Sequence, residues 1–501
     1  MQYRETNFDF ISRLLEQVGI FYFFEHEKGK HTLVLADSPL AHPVLPGTPR
    51  IPYQQGQGGD VISRLAQKRM WRPGKYTMND YNFEIPNTTL ETTLESTPEI
   101  GGNRRYELYE HPGDYQQKAQ GEALARVRMQ EIESASQVVD GTSSCRAMAA
   151  GHRFALTGHE RRELNRDYVI THVRHEANIS NQGAYTNEFT AIPHSVPFRP
   201  LRLTPQPVIR GPETGVVVGP KGEETFVDEY GRVKVQFHWD RQGKSDENSS
   251  GWIRVAQPWA GKQWGTLFIP RVGDEVLIEF LHGDVRRPFI SGSLYNGEDR
   301  PPVSLPVGQT ITTIKSSTTK GGGGSNELRF DDKKGLEEIF LHGQRDWRTV
   351  VEHDQNESVG NNSTVRVGGN RVETVGKAQT LTIGTSFQVT VGTAMNETIG
   401  SDKQVQVGGT VSEAIGKDRR VTIGNDETLT IGKNFTVGAG NGITVEAQKN
   451  VSISAAEELT LKCGQAVIVL KKNGDISITG KEISIKGSGN VIIKGEKIIQ
   501  N

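Results

Sequence analysis

The stretch ESVGNNSTVRVGGNRVETVGKAQTLTIGTSFQVTVGTAMNETIGSDKQVQVGGTVSEAIGKDRRVTIGNDETLTIG, Glu357 to Gly432, repeats itself every eight residues. Glycine recurs at Gly360, Gly368, Gly376, Gly384, Gly392, Gly400, Gly408, Gly416, Gly424 and Gly432. Each is preceded by a β-branched residue: Val359, Val367, Val375, Ile383, Val391, Ile399, Val407, Ile415, Ile423 and Ile431. Two positions earlier stands either an aliphatic residue (Val365, Leu381, Val389, Val405, Val421, Leu429) or a glutamate (Glu357, Glu373, Glu397, Glu413). Side chains two apart share one face of a strand. Each octad therefore reads as a short strand ending in Val or Ile, followed by a glycine that permits a sharp bend. A unit this small cannot bury its apolar face alone, and stacking on further copies makes a β-solenoid.

Two geometries fit a period of eight: one chain coiling with three octads per turn, or three chains each giving one strand per level to a triangular prism. Ten octads coiled by one chain complete only about three turns, whereas three interwound chains rise ~4.7 Å per octad and reach about 90 Å over the last ~150 residues. Length favours the trimeric prism. In it the Val and Ile before each glycine form the trimer core and the glycines are the turn residues. The four glutamates are expected to point outward, or to be paired or hydrated if inside, because an unpaired buried carboxylate is costly. Beyond Gly432 the glycine spacing slips, while apolar alternation continues in Ile443/Val445, Val451/Ile453, Leu459/Leu461, Val467/Val469, Ile476/Ile478, Ile483/Ile485 and Val491/Ile493.

A length of 501 residues suggests about three domains. Basic and acidic residues nearly balance, 58 against 60, which points to neither nucleic acid nor membrane. The 56 glycines and an aromatic content of 7% suit turns and repetitive strands better than a helical enzyme. Cys145 and Cys463 fall in different predicted domains, so a disulfide framework is not expected. Glu5, Asp9 and Glu16 interrupt what a general secretory leader requires, and Phe21 to Phe24 is too short an apolar run to cross a bilayer.

At the start, Thr6 caps a helix whose apolar positions Phe8, Ile11, Leu14, Leu15 and Val18 keep the 3.6 period, and Gly19 ends it. A strand from Ile20 to His26 follows. A second helix is expected from about Asp114 to Ser134, and strands at Arg153–Thr157, Tyr168–His175 and Ala184–Ile192. Prolines 193, 197, 200, 205, 207 and 212 mark a linker. Strands are then expected at Val216–Val218, Arg232–Trp239, Gly251–Val255, Thr266–Ile269, Glu275–Leu281 and Phe289–Leu294, a density that suggests an OB-like barrel. The organisation is mainly β: a base module over 1–212, an OB-fold collar over 213–300, a neck over 301–352 and a needle over 353–501.

Signatures of chemistry are sparse. His159-Glu160 opens HERRE, which has Glu163 where the zinc signature needs its second histidine. His172 and His175 lie three apart in a strand, so they face opposite ways and do not chelate as a pair. Gly243-Lys244-Ser245 has His238 where a phosphate loop needs its first glycine, and reads as a turn. Neither cysteine carries a catalytic signature, and no nucleophile elbow occurs. The sequence thus gives no catalytic, cofactor-binding or metal-ligating residues. OB barrels often bind oligonucleotides, but Val216 to Arg300 carries 11 basic against 13 acidic residues, and a nucleic-acid groove should be basic. Trp239, Trp252, Trp259 and Trp264 are read as core or interface anchors rather than a stacking platform.

Several blocks also resemble a known family. YRETNFDFISRLLEQVGIFYFFEH (Tyr3 to His26), DEYGRVKVQFHWD (Asp228 to Asp240), WIRVAQPWAGKQWG (Trp252 to Gly265), PRVGDEVLIEFLHGD (Pro270 to Asp284) with Gly292, Tyr295 and Asn296, and NELRFDDKKGLEEIFLH (Asn326 to His342) resemble the VgrG spike proteins of type VI secretion. The resemblance spans nearly the whole chain. It implies a phage-hub-like β-barrel base with a few helices, an OB collar and a triple-stranded β-helix (β-prism) needle, assembled as a homotrimer similar to the hub and cell-puncturing proteins of contractile phage tails.

The family implies a cell-puncturing spike seated on the Hcp tube, tipped by a PAAR-repeat protein and carrying effectors and their adaptors. It would be assembled in the cytoplasm of a Gram-negative bacterium and driven out through transient contact with a target-cell membrane. Family members carry a longer stretch before the block at Tyr3, so an N-terminally truncated hub is expected. The phage relative has a lysozyme between collar and needle, and the neck is too short to hold one. Ile492, Ile493, Ile498 and Ile499 form an apolar terminal segment that the family implies is covered by the tip protein. The main alternative is a trimeric tail spike or adhesin whose solenoid binds glycans.

Overall fold

A computed structural model describes residues 1–56, 58–178 and 184–500. The chain divides into two units, Met1–Gly360 and Asn361–Asn501.

The first unit opens on helix α1, Asn7–Val18. Thr6 caps it by accepting the Asp9 amide at 3.1 Å, and Gly19 closes it at φ +74°. Its apolar stripe points out of the chain. Phe8 is 66% exposed and Ile11 55%, while Ser12 and Arg13 on the opposite face are buried. The polar face goes inward because its charged groups Arg13 and Glu16 find partners. Arg13 forms a two-pronged pair with Glu5, both bonds at 2.7 Å, and the Glu16 carboxylate accepts the amide and hydroxyl of Thr204, each at 2.9 Å.

Arg128 comes from helix α2, Lys118–Ser134, which starts four residues later than the sequence suggests because Gln117 caps it. Its guanidinium donates to the carbonyls of Glu16 and Gln17 at 2.7 and 2.9 Å and pairs with Glu131 at 2.6 Å. It thereby satisfies the Gln17 carbonyl that the end of α1 leaves open and gives a second donor to that of Glu16, which also accepts the Gly19 amide at 3.3 Å. Arg128→Met keeps the stem but strands the Gln17 carbonyl and the half-buried Glu131 carboxylate. It is expected to destabilise the first unit by about 2–4 kcal/mol, read as a fall in urea midpoint at unchanged slope.

The base is a six-stranded sheet in the order Arg50–Pro52, Arg153–Thr157, Asp167–Asn178, Ala184–Pro193, Gln137–Ser143 and Ile62–Arg69. Its two outer strands meet at a bridge between Tyr53 and Ile62, with the Gln54 amide donating to the Ile62 carbonyl at 3.0 Å, and this closes the sheet into a barrel. Leu45, Ile51, Ile62, Phe154, Tyr168 and Phe189 fill it. Gly141 is obligatory there, since a Cβ would lie 2.4 Å from the Phe189 ring. Helix α2 covers a smaller sheet of Thr92–Glu95, Lys75–Met78 and Glu107–Glu110 over Tyr76, Met78, Tyr115 and Met129.

The collar is a five-stranded sheet in the order Lys234–Phe237, Glu213–Val218, Glu275–Phe280, Pro288–Leu294 and Arg254–Val255. Reciprocal bonds between Val233 and Ile253, 3.0 and 2.8 Å, join its outer strands and close a barrel over Val217, Val235, Val276, Ile278 and Ile290. The expected strand at Thr266–Ile269 does not form. Instead the Gln257 side chain donates to the Phe268 carbonyl at 2.9 Å and accepts its amide at 2.8 Å, doing for that segment what a neighbouring strand would do.

Base and collar are tied by buried ions. Asp80 of the base accepts both terminal nitrogens of Arg287 from the collar, at 3.1 and 2.6 Å, and the amides of Tyr81, Asp114 and Tyr115. Arg286 pairs with Asp114 and Asp284, each at 2.8 Å.

Candidate assembly surface

The octads make bends but no ladder within one chain. From Gly360–Asn361 to Gly432–Lys433 the backbone bends at each repeat glycine and the residue after it. Among the described residues, no backbone amide between Arg345 and Ala456 donates to a backbone carbonyl of the same chain. Backbone polar groups need partners. A strand-like segment this long with none of its own presents open edges to other chains.

The side chains are ordered along it. The Val and Ile preceding each bend, Val359 through Ile431, are 41–50% exposed, whereas the aliphatic residues two positions earlier are 55–70% exposed. The glutamates at that earlier position are exposed and several find a partner six residues on, in the next octad. Glu373 accepts from Gln379 at 3.1 Å, Lys403 pairs with Glu397, and Arg419 lies 3.7 Å from Glu413.

None of Gly360 through Gly432 has positive φ, and a Cβ on any of them meets nothing within 4 Å in its own chain. Two readings from sequence need correction. First, the eight-residue period does not slip beyond Gly432. Bends or turns recur at 440–441, 448–449, 456–457, 464–465 and 472–473, then at Lys481, 488–489 and Glu496. Gln448 and Ala456 occupy glycine positions there, and Ala439, Ala447 and Ala455 stand where Val or Ile stood. Counting on by eight from Gly432, regardless of residue type, finds this register. Gly400→Ala is accordingly expected to change stability by no more than about 1 kcal/mol per chain, checked by thermal melting. Second, Trp239, Trp259 and Trp264 are 39%, 63% and 56% exposed, so of the core-or-interface reading the core half does not hold for them within one chain.

Before and after Glu357–Gly432 in the sequence, two sheets pair within the chain. The neck sheet comprises Ile311–Lys315, Glu327–Asp331 and Glu338–His342. A second, in the other unit, comprises Glu458–Cys463, Ala466–Lys471 and Ile476–Thr479. Nearer the end of the chain, Ile492, Ile493, Ile498 and Ile499 are 63–74% exposed.

The residues weighed for chemistry are held in local structure. The His159 ring accepts the Arg161 amide at 3.0 Å, and Glu163 pairs with Arg161. His175 bonds Tyr185 at 2.6 Å, while His172 lines a different surface hollow with Arg174 and Glu188. Asp240 accepts the amides of Gln242 and Gly243, which fixes the turn before Lys244. Among the described residues no group of three His, Cys, Asp or Glu is placed to hold a metal, and no helix is long and apolar enough to cross a membrane.

Three families match in chain order: "Phage tail baseplate hub (GPD)" over residues 1–182, "Type VI secretion system/phage-baseplate injector OB domain" over 214–295, and "Bacteriophage T4 gp5 C-terminal trimerisation domain" over 312–421. The type VI secretion system spike protein VgrG1a of Pseudomonas aeruginosa is 44% identical over 375 residues, 72% of this chain and 58% of that protein. VgrG1c of the same organism is 43% identical over 378 residues, 73% of this chain and 52% of that protein. This chain belongs to the VgrG family. The three family matches place hub, OB and trimerisation regions in the order in which the two barrels and the octads follow one another. A further VgrG relative, "Actin cross-linking toxin VgrG1" of Vibrio cholerae, is 36% identical over 73% of this chain and 34% of its own length. The chain spans about half the length of the first two relatives.

Proposed function

We propose that this chain is a structural part of a type VI secretion spike and acts as a homotrimer whose octads interwind into a rigid needle. One observation carries the reading: a long run of octads with open backbone edges and a continuous half-exposed Val/Ile row, in a stretch similar to a trimerisation domain. Three chains would supply the missing ladder partners to one another and bury the row between them. The mechanical consequence is stiffness, because each level of such a prism is hydrogen-bonded to the levels above and below.

In this reading the octads supply shape and the role is structural, in keeping with the spike-protein names of the relatives. A relative named as an actin cross-linking toxin shows that the family also includes chains with such an activity. Seating on an Hcp tube, a PAAR-repeat tip protein over Ile492, Ile493, Ile498 and Ile499, effector carriage and export by type VI secretion belong to the same proposal, supported by family membership.

The solution mass by light scattering tests it. A value near three times 55.3 kDa is expected. A monomer that keeps its β-signal would mean that the octads coil within one chain, and would overturn the needle.

A further inference from the structure

Residues Phe21–Glu27 and Lys30–Ala36 form an antiparallel hairpin that precedes the base barrel in the chain. Its turn is Lys28 and Gly29, with Gly29 at φ +76°, between the facing pair Glu27 and Lys30. A loop this short fixes the register of every pair above it. Alternation then divides the hairpin into two faces. Phe21 and Phe23 go inward and are 4% and 5% exposed. Phe21 stacks on His42 with ring centroids 4.8 Å apart, and Phe23 lies so close to Gly151 that a Cβ there would come 2.3 Å from its ring. The inner face is thus held firmly against its neighbours.

The outer face sets Tyr22 opposite Leu35, Phe24 opposite Leu33 and, next to the turn, His26 opposite His31. The Nδ1 atoms of these two histidines are 2.7 Å apart, with ring centroids at 4.9 Å and planes at 72°. Both residues are exposed. Phe24 stacks on the His26 ring and restrains it. A bond between two ring nitrogens needs a proton on one and a lone pair on the other. Two imidazole nitrogens therefore converge on one proton from directly opposite strands, and nothing in the spike reading uses them.

Neutral imidazole is the commonest metal ligand in proteins. Metal–nitrogen bonds of about 2.0–2.1 Å put two donors about 2.9 Å apart at a right angle and about 3.3 Å apart at a tetrahedral one. The hairpin reaches the first spacing by opening about 0.2 Å and the second only by opening about 0.6 Å. Right-angle positions belong to tetragonal Cu²⁺ and Ni²⁺ sites, and Cu²⁺ binds most tightly of the divalent ions in this series.

We propose that His26 and His31 form a bidentate site for a divalent transition-metal ion, Cu²⁺ before Ni²⁺ or Zn²⁺, which takes the place of the proton between their Nδ1 atoms. Water fills the other coordination positions, since among the described residues no group of three His, Cys, Asp or Glu is placed to hold a metal. The ion bridges the two strands beside the turn and resists their parting. The site does not rest on the spike reading, because all of it lies in one hairpin of one chain.

The test is a titration of the full-length chain with Cu²⁺ chloride, followed by calorimetry, with diethyl pyrocarbonate modification of each histidine mapped by mass spectrometry. In the parent, Cu²⁺ is expected to protect His26 and His31 while the exposed His172 stays reactive. That footprint is read on the parent itself, so it does not depend on a variant folding. His26→Ala and His31→Ala should each weaken binding about tenfold or more, because each leaves one imidazole where two acted together. His172→Ala should leave binding unchanged. His26 and His31 that stay reactive in the presence of Cu²⁺, or a His31→Ala chain that binds Cu²⁺ as tightly as the parent, would overturn the proposal. Tighter binding of Zn²⁺ than of Cu²⁺ would overturn the right-angle assignment.

Discussion

Ile399→Asp in the full-length chain is expected to abolish the trimer. In one chain Ile399 is 43% exposed, which one substitution alone would tolerate easily. In the prism the same position recurs in all three chains at one level. Burying an Ile side chain is worth about 1.5–3 kcal/mol, and burying an unpaired carboxylate costs several kcal/mol more, so three copies lose on the order of 10 kcal/mol or above. That rivals the whole stability of a typical domain, about 5–15 kcal/mol. Light scattering should report monomer or aggregate, whereas Glu397→Lys, two residues earlier at an exposed pair with Lys403, should leave the mass unchanged because such pairs contribute about 1 kcal/mol or less. If Ile399→Asp remains a trimer with an unaltered melting temperature, the Val/Ile row does not face neighbouring chains.

How much of this was legible depended on whether a residue's role was decided locally. The octads were legible because a periodic array repeats one local instruction many times, and Gly19, Thr6 and the strand at Arg153–Thr157 were legible because caps and alternation act over a few residues. In the base barrel the strands at Arg153–Thr157, Asp167–Asn178 and Ala184–Pro193 were placed with small errors at their ends, whereas those at Arg50–Pro52, Ile62–Arg69 and Gln137–Ser143 were not read at all, and the collar strands that form were found to within three residues. The outward-facing stripe of α1 was not readable, because the 3.6 period shows that Phe8 and Ile11 share a face but not which face the chain covers. That was decided by Glu5, Arg128 and Thr204, the last two far away in sequence. Thr266–Ile269 failed because the Gln257 side chain took the place of a strand partner. The sheet over Glu458–Thr479 was missed for a different reason. Val467/Val469 alternate as well as Leu459/Leu461, yet the fold-back puts them on opposite faces, and no pattern within a single strand records a change of neighbour. The assembly surface stays least legible, since its partners are copies of the same residues.

Arg287→Ala is expected to loosen the joint between base and collar by about 3–5 kcal/mol, the range for stranding one member of a buried ion pair. The asymmetry of the pair sets the size. The Asp80 side chain is 1% exposed and that of Arg287 24%, so it is the buried carboxylate that loses its counter-charge and keeps only the amides of Tyr81, Asp114 and Tyr115. Burial by itself would raise the Asp80 pKa, but the Arg287 guanidinium and the amides of Tyr81 and Tyr115 outweigh it and hold the carboxyl below its ordinary value. The sign of the pH effect follows. A carboxyl whose folded pKa is depressed adds stability above its unfolded value, about 3.9, and that contribution drains away as pH falls through the unfolded value towards the folded one. Asp80→Asn, which keeps the shape but cannot ionise, should therefore be destabilised at pH 7 and lose less additional stability than the parent between about pH 5 and pH 3. The readout is the urea midpoint of the first unit across that range, together with the Arg287→Ala/Asp80→Asn double variant. If the joint works as a pair, the double variant costs clearly less than the sum of the two single changes. Strict additivity, or parallel pH curves for parent and Asp80→Asn, would show that the two side chains meet without holding base and collar together.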